Sequence, residues 1–400
     1  MWEQIRSNQT RSAVLVVWMG VLLLLLGYVL GLYFFDSGTG GLIFALILWV
    51  IMSLVAYFQG DSILLAMSGA KKISHDDHPR LYNIVEEMKI ASGLEAMPSI
   101  YIIDDPAMNA FATGRDPKKA SVTVTSGLLQ KLNRDELQGV IGHEMSHIKN
   151  RDVLLMAMCS VLLGTIVLLA WYASRFMLFG GMRGTRRSSS SGGGAGQIII
   201  IIVAIVLMIL APIMAQLIYF AISRKREYLS DASSSLYTRY PEGLASALEK
   251  LAASTNQLKS ANQATAPMYI INPFRKRGMA ASNLTSTHPP ISERIRILRS
   301  MGGASFADYA AAYRQVHDTN KVLIPTAAIA AAGTVALRAP QPEAPEKFDE
   351  VQRTRETSNL MWNLNKYNTI TCPCGTKLRL PPNFKLPEVK CPHCGRINPV

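Results

Sequence analysis

Long apolar runs dominate the pattern of hydrophobic and polar positions along the chain. Four such runs cover residues 13–35, 41–58, 154–171 and 198–222. An α-helix needs ~20 apolar residues to cross ~30 Å of hydrocarbon, and each run approaches or exceeds that length. A buried core helix explains runs of about 10–14 residues but not runs as long as these. The pattern therefore predicts four transmembrane helices.

The four runs form two predicted hairpins, which divide the chain. Residues 1–60 are predicted as the first hairpin and 154–222 as the second, with a flexible loop rich in Gly and Ser at 180–197. Residues 61–153 and 223–320 have the polarity of segments that fold in water. We therefore predict one soluble domain built from two separated stretches of chain.

The first soluble stretch mixes helical and β patterns, which predicts an α+β domain. The helical pattern covers 78–91, and short β-rich runs lie at 99–103, 109–113 and 121–125. Asn133 followed by Glu136 is a capping-box pattern. It predicts a helix from residue 134 to about residue 150.

Composition and charge agree with a membrane protein. Hydrophobic residues make up 49% of the chain and charged residues only 17%. Much of the net charge of +13 flanks the apolar runs, at Lys71, Lys72, Lys149, Arg151 and residues 224–226. An excess of Lys and Arg marks cytoplasmic flanks under the positive-inside rule. The charge is therefore assigned to membrane topology, and no nucleic-acid partner is expected.

The sequence His143-Glu-Met-Ser-His147 lies on the predicted capped helix. Residues four apart share a helix face, so both histidines can hold one metal ion while Glu144 projects beside them. In such sites zinc lowers the pKa of a bound water to about 7, and the glutamate is the general base. A third protein ligand is required, and Glu227, directly after the fourth apolar run, is the best candidate. Asp231 is predicted to accept a hydrogen bond from a ligand histidine.

Four segments carry a family resemblance: Asn109-Ala-Phe-Ala-Thr, His143-Glu-Met-Ser-His, Ser223-Arg-x-x-Glu227-x-x-x-Asp231-Ala and His288-Pro-Pro-Ile-Ser-Glu-Arg-Ile. They resemble the HtpX-type heat-shock membrane metalloproteases, whose wider relatives include the metal-dependent CAAX prenyl endoproteases. The resemblance covers about residues 1–300. It implies a gluzincin site, with zinc on His143, His147 and Glu227 and with Glu144 as catalytic base. It also implies endoproteolysis of membrane or misfolded proteins at the cytoplasmic face of a prokaryotic inner membrane, in stress response.

Two further roles follow from the resemblance. Asn109, Ala110 and Phe111 resemble part of the family's edge strand, which would hold substrate by backbone pairing. An ordinary core strand with Phe111 buried is the alternative. His288 matches a family histidine and is predicted as a catalytic residue that hydrogen-bonds the substrate carbonyl or the oxyanion. A structural histidine that caps the helix 291–298 is the alternative.

Glu227 must meet His143, so the outer flanks of the third and fourth runs face one side of the membrane. Their basic residues predict that this side is cytoplasmic. Arginines at 175, 183, 186 and 187 lie in the loop then placed outside, contrary to the simple charge rule. A re-entrant second hairpin is the alternative. We favour full crossing, and hence a multi-pass inner-membrane protein with a cytoplasmic active site.

The end of the chain is predicted as a linker at 321–365 and a small module at 366–400. Prolines at 340, 342 and 345 favour an extended linker. The module is too small to bury much core, which favours stabilisation of its fold by a bound metal ion.

The module carries Cys372-Pro-Cys374 and Cys391-Pro-His-Cys394. Four thiolates suit a closed structural zinc site, and the arrangement resembles a zinc ribbon. Because the first turn has one residue between its cysteines, His393 could replace one thiolate. Disulfides and metal-free thiols are further alternatives. The chain is thus expected to bind one catalytic zinc and a second, structural zinc.

Three other functions compete with a membrane protease of this kind. An intramembrane zinc protease carries its motif within an apolar span, whereas charged residues such as Arg134 and Lys149 surround this one. A non-proteolytic membrane adaptor acting through the ribbon has no use for Glu144. A CAAX-type processing protease would be expected, by resemblance, to have more spans.

We therefore predict a mainly α integral membrane protein. It has four transmembrane helices, an α+β zincin-type metalloprotease domain and a small C-terminal zinc ribbon. The predicted function is zinc-dependent endopeptidase, with polypeptide substrates and the lipid bilayer as partners.

Overall fold

The fold is that of a computed structural model. The structure describes residues 2–179 and 224–400, except 262–265, 274–287, 320–323, 325–328, 330–332, 334 and 342–345, with single positions between 202 and 213. The helices are α1 (Trp2–Phe35), α2 (Gly38–Met67), α3 (Pro79–Ser92), α4 (Ser126–Lys131), α5 (Arg134–Lys149), α6 (Asp152–Phe179), α7 (224–238), α8 (Pro241–Ala253), α9 (Ile291–Arg299), α10 (Phe306–His317) and α11 (Glu346–Leu364). The strands are β1 (Lys71–Ile73), β2 (Ser99–Ile103), β3 (Ala110–Thr113), β4 (Ser121–Thr125), β5 (Asn368–Thr371), β6 (Lys377–Leu380), β7 (Glu388–Lys390) and β8 (Ile397–Pro399).

The first predicted hairpin is formed by α1 and α2, which pack along each other. Val16–Tyr33 and Gly38–Met67 are each long and apolar enough to cross a membrane. Their outward side chains are apolar and exposed; Phe44, for example, is 63% exposed. A continuous apolar surface of this kind suits lipid and not water.

The third predicted span lies in α6, whose shorter apolar stretch is Val161–Tyr172. This helix packs against α1 and α2, and Leu162 and Ile166 lie in one cluster with Met19. The fourth predicted span and the loop 180–197 lie outside the described residues, apart from single positions. Among the residues that the structure describes, two helices are therefore long and apolar enough to span a membrane, and a third helix is packed on them.

Small residues hold α1 and α2 together through close backbone contact. Gly27 and Gly31 of α1 face Gly41 and Ala45 of α2, so each helix presents a small-xxx-small pair. A Cβ atom added at Gly41 would collide with the Gly27 carbonyl oxygen and would lie 2.6 Å from the Gly31 Cα. The hydrophobic effect gives no driving force between helices in lipid. Close packing of the two backbones stabilises the pair of helices instead.

Gly41→Ala is expected to lower the melting temperature of the detergent-purified protein, because relieving the overlap costs ~1–3 kcal/mol. Thermal unfolding followed by tryptophan fluorescence measures the change. Gly164→Ala on α6 is the matched control, because a Cβ atom there meets no other atom within 4 Å. A Gly41→Ala protein as stable as the Gly164→Ala protein would contradict the close contact.

The soluble domain contains a 4-stranded sheet in the order β1-β2-β4-β3. β2 and β4 are parallel, and β1 and β3 pair antiparallel at the two edges. Buried residues such as Ile100 and Val122 share one core with α3 and α5. Leu65 of α2 packs with Phe111 of β3 in a second cluster. The sheet therefore lies between the last turns of α2 and the helix that carries the HExxH motif.

α5 is the helix that carries the motif, and the predicted capping box starts it. The Asn133 side chain accepts the Glu136 backbone N–H, and the Glu136 side chain accepts the Asn133 backbone N–H. This prediction is confirmed. All residues from Asp135 to Ile148 are buried, so the motif lies in the centre of the domain.

Small residues let α7 and α8 approach α5 closely. A Cβ atom added at Gly139 would lie 2.7 Å from the Leu244 backbone nitrogen. Ser234 of α7 donates a hydrogen bond to the Gly139 carbonyl at 2.6 Å, and a Cβ at Gly142 would lie 3.1 Å from the Ser234 Oγ. The helix after the fourth apolar run is thereby held against the motif.

The second half of the predicted linker 321–365 is the helix α11. Residues 335–341 form neither helix nor strand, and within them Arg338 donates to the Asp135 carboxylate at 2.6 Å. α11 then packs on α4. Its Leu360 is buried in the core of the soluble domain, so the segment contributes apolar contacts that a solvated linker would lack.

Candidate active site and metal centre

The predicted ligands meet between α5 and α7. Nε2 of His143 and Nε2 of His147 lie 3.2 Å apart. Oε2 of Glu227 lies 3.5 Å from His143 Nε2, and Oε1 lies 3.4 Å from His147 Nε2. All three side chains are buried. The structure thus brings together two histidines and a glutamate that the predicted second hairpin separates in the sequence.

The separations fit a tetrahedral zinc site. Zinc bonds of about 2.0–2.1 Å at tetrahedral angles place the ligand atoms about 3.3–3.4 Å apart. The measured distances range from 3.2 to 3.5 Å. Oε2 of Glu227 is also buried without a hydrogen bond in the described part of the chain. A buried polar atom of this kind needs a partner, and a metal ion provides one.

Asp231 holds His143 from behind. Its Oδ1 lies 3.0 Å from Nδ1 of His143. Arg294 of α9, fully buried, donates to both Asp231 oxygens at 2.8 and 2.7 Å and to the Ile270 carbonyl at 3.1 Å. The sequence predicted the role of Asp231 but not that of Arg294. Arg294 lies in the segment after His288 that carries part of the family resemblance. No spacing within that segment indicates a role for it.

Asp152 contacts Nδ1 of His147 as Asp231 contacts Nδ1 of His143, and this role was not predicted from the sequence. Asp152 Oδ2 lies 3.3 Å from Nδ1 of His147, and Asp152 Oδ1 accepts a hydrogen bond from Arg226 at 2.8 Å. Ser230 Oγ lies 3.2 Å from the same Nδ1 atom. Asp152 lies beyond the end of α5, so helical spacing alone does not place it beside the motif.

The electrostatics of the ligand cluster favour a cation. Burial lowers the pKa of His143 and of His147, but the neighbouring carboxylates outweigh burial, so the pKa of His143 is raised and that of His147 is raised to about 10. Burial raises the pKa of Glu227, but His288 and both ligand histidines hold that pKa well below its ordinary value. A metal ion therefore competes with protons for the two imidazoles.

Glu144 lies beside the cluster with its carboxylate against β3. The backbone N–H of Ala112 donates a hydrogen bond to it. Burial raises the pKa of Glu144, although His143 and His147 oppose that effect. A buried carboxylate with a raised pKa is suited to accepting and returning a proton.

His288 also reaches the cluster. Its Nε2 lies 3.7 Å from Oε2 of Glu227, and the side chain is buried. Burial lowers the pKa of His288 to about 4, against the opposing charge of Glu227. The structure thus places this histidine beside a predicted metal ligand, in the buried part of the site.

The three residues predicted to bind substrate lie on or beside β3. The Ala110 carbonyl accepts the Ile270 backbone N–H at 2.9 Å, and the Asn109 amide donates to the Ile271 carbonyl at 3.2 Å. The Phe111 ring packs edge-on against Tyr269, with ring centroids 5.1 Å apart. The segment 269–271 therefore runs along the outer edge of this strand.

The four C-terminal cysteines form a second cluster, carried by the hairpins β5-β6 and β7-β8. The Sγ atoms of Cys372 and Cys394 lie 3.6 Å apart, and those of Cys374 and Cys391 lie 3.8 Å apart. All four thiols are free. Zinc–sulfur bonds of about 2.3 Å at tetrahedral angles separate sulfur atoms by about 3.8 Å. The four sulfur atoms are therefore close enough together to bind one metal ion.

Comparison with known proteins decides the family. The model of peptidase family M48 matches residues 75–302, more than half of the chain. The chain belongs to peptidase family M48. It is therefore a metalloprotease, and the predicted resemblance is confirmed.

Two curated relatives of this M48 protease are named as HtpX homologues. The protein from Dictyoglomus thermophilum is 44% identical over 301 residues, which cover 75% of this chain and 95% of the relative. The protein from Streptococcus pneumoniae strain R6 is 43% identical over 301 residues, which cover 75% of this chain and all of the relative. The crystal structure of S. mikatae Ste24p gives a TM-score of 0.41 at 20% identity, over 74% of this chain and 67% of that chain. The cysteine cluster lies beyond the family match, which ends at residue 302.

Asp231→Asn is expected to weaken zinc binding about 10–100-fold, because the amide cannot hold both His143 and Arg294 as the carboxylate does. Competition with a chromophoric chelator measures the affinity. Asp104→Asn is the control, since that carboxylate is exposed. Equal zinc affinities in the two variants would show that Asp231 does not support the site.

Proposed function

We propose that this M48 protease is a zinc-dependent endopeptidase that cleaves membrane or misfolded proteins at the cytoplasmic face of the inner membrane, as part of the stress response. The buried split site carries the proposal, because His143, His147 and Glu227 meet with Glu144 beside them. The two spanning helices attach this site to a bilayer. The names of the HtpX relatives point to the same activity.

Glu144 is the residue that moves the proton in the proposed mechanism. His143, His147 and Glu227 would hold a zinc ion, which would supply Lewis-acid chemistry and lower the pKa of a bound water to about 7. Glu144 accepts a proton from the attacking water at its carboxylate and returns it to the leaving amine. The Ala112 N–H orients this carboxylate. Because the site is buried, competing solvent is excluded from both transfers.

His288 is proposed to donate a hydrogen bond to the substrate carbonyl or to the oxyanion. Its support is position, since it lies within 3.7 Å of a metal ligand on an element separate from α5 and α7. A donor placed before the reaction stabilises the developing charge without reorganisation.

The substrate main chain is proposed to pair with β3 at Asn109, Ala110 and Phe111. The strand is at the edge of the sheet, and its Ala112 N–H already meets the catalytic carboxylate. The Ile270 N–H bonds the Ala110 carbonyl in this structure. Pairing at Ala110 therefore requires the segment 269–271 to move aside.

Four crossings are proposed for the whole chain, with the active site in the cytoplasm. The direction of α6 supports this, because α6 starts beside His147 and runs back along α1 and α2. Lys71 and Lys72, which follow α2 directly, support a cytoplasmic soluble domain.

Glu144→Gln is expected to abolish cleavage of casein by the detergent-purified enzyme while leaving zinc content unchanged. The amide keeps the shape of the side chain but cannot accept a proton. Cleavage is measured on gels, and zinc by mass spectrometry. Glu350→Gln, an exposed glutamate of α11, is the matched control. Equal cleavage by Glu144→Gln and wild type would refute the protease mechanism.

A second zinc is proposed to be structural, held by Cys372, Cys374, Cys391 and Cys394. The purified full chain is then expected to hold two zinc ions, and Cys391→Ser is expected to hold one. His393→Ala is the control, and it should keep both ions if thiolates are the ligands. Loss of one ion in His393→Ala would instead place the imidazole in the site. Elemental analysis after removal of loosely bound metal gives the count.

A further inference from the structure

The loop between β3 and β4, residues 114–119, lies beside α2 well before that helix ends. The Arg115 guanidinium lies 5.8 Å from the ring centroid of Tyr57 and 5.5 Å from that of Phe58. Tyr57 is 42% exposed and Phe58 is 54% exposed. The loop therefore borders the outward, apolar surface of α2.

Tyr57 and Phe58 lie where the hydrocarbon of a bilayer would end. The helix from Gly38 to Phe58 is about 30 Å long, which equals the thickness of the hydrocarbon core. Tyrosines collect at such boundaries. Leu64 and Leu65, further along α2, are buried against the soluble domain, so the last turns of this helix lie outside the lipid.

The packing of α6 gives an independent estimate of how far the site lies from this boundary. Leu162 packs in one cluster with Met52 of α2. Met52 precedes Phe58 by about 9 Å of helix. Counting the same 9 Å back along α6 from Leu162, toward the start of that helix, reaches the level of the boundary. Asp152 lies about 6 Å of helix beyond that level. Since Asp152 lies 3.3 Å from His147, the metal ligands lie about 10 Å beyond the boundary.

The length of chain between β3 and the loop gives a similar distance of about 10 Å. Ala112, whose N–H meets Glu144, precedes Arg115 by about 10 Å of extended chain. The loop that borders the lipid and the strand that faces the catalytic carboxylate are therefore one continuous segment. A force that fixes the loop at the membrane surface also fixes the height of the active site.

The charges of the loop complement lipid phosphates. It carries Arg115, Lys118 and Lys119, and its Asp116 accepts the Lys118 backbone N–H at 2.8 Å. Lys118 pairs with Glu95 at 3.1 Å, but these side chains are 70% and 78% exposed. An exposed ion pair is weak, so phosphate can compete for this lysine. Basic residues beside a membrane surface are attracted to the anionic lipids of the cytoplasmic leaflet.

We propose that the loop 114–119 binds phosphate groups of anionic lipids and holds the active site about 10 Å from the hydrocarbon. This proposal rests on the proposed cytoplasmic protease function. A polypeptide leaving the bilayer in an extended form reaches Glu144 after about three residues. The substrate class is therefore polypeptide immediately next to a transmembrane segment.

The position of the loop is tested by fluorescence quenching in the inactive Glu144→Gln protein, reconstituted in phosphatidylglycerol-containing bilayers. A fluorescent amino acid replaces Lys119 or, as control, Asp104, which is exposed at the opposite end of the same sheet. Nitroxide on the lipid headgroup is expected to quench position 119 at least twice as strongly as position 104. Equal quenching would overturn the proposal. Because no catalysis is involved, this result does not depend on the protease assignment.

The function of the loop is tested with Lys119→Glu. In bilayers with phosphatidylglycerol it is expected to cleave a single-span substrate about three- to tenfold more slowly than wild type. Cleavage of a soluble peptide should be unchanged, and the defect should disappear in pure phosphatidylcholine. Lys385→Glu, an exposed ribbon lysine, is the matched control. A defect that is independent of lipid charge, or that Lys385→Glu shares, would overturn the proposal.

Discussion

The rest of the structure depends on buried charge at the contact between α5 and α7. Glu227, Asp231 and Asp152 are all buried there. A buried ion costs several kcal/mol unless opposite charge and hydrogen bonds compensate for it. Arg294 compensates Asp231, and Arg226 compensates Asp152. Glu227 contacts three histidines, and Arg294, already paired with Asp231, lies 3.6 Å from its Oε2. The metal therefore completes a charge balance that the protein side chains only begin.

This charge balance explains why distant parts of the chain converge on one helix. α9 must return to the site because Arg294 satisfies both oxygens of Asp231. Asp152 is the first residue of α6 and contacts His147, so this contact fixes the start of α6 beside the motif. Arg151, between α5 and α6, has a φ of 57°, a left-handed conformation that turns the chain sharply. The sharp turn from α5 into α6 thus lies next to His147, which Asp152 contacts.

The sequence predicted what short-range rules determine. The capping box placed the start of α5, and the spacing of four residues placed His143 and His147 on one face. The partners Asp152 and Arg294 could not be found in this way. One lies across a helix break, and the other lies on a helix whose position follows from tertiary packing.

Apolar length predicted the first hairpin but said nothing about its packing, which Gly27, Gly31 and Gly41 determine through backbone contact. Prolines suggested an extended linker, whereas α11 forms because its buried side chains find a surface on the soluble domain. In both cases the deciding contact is between segments far apart in sequence. Local pattern cannot report the free energy of such a contact.

Because α5 and α7 contribute ligands to the same site, metal binding is sensitive to how α7 is placed. Glu227 and Asp231 lie one turn apart on α7, so the metal ligand and the partner of Arg294 fix its rotation together. Slipping the helix by one residue would rotate both carboxylates by about 100° and move them about 1.5 Å along the axis. Neither contact survives such a shift, and buried charges would be left unpaired. An assembled site therefore requires α7 in one register against α5, and the free energy of metal binding favours that register over the alternatives.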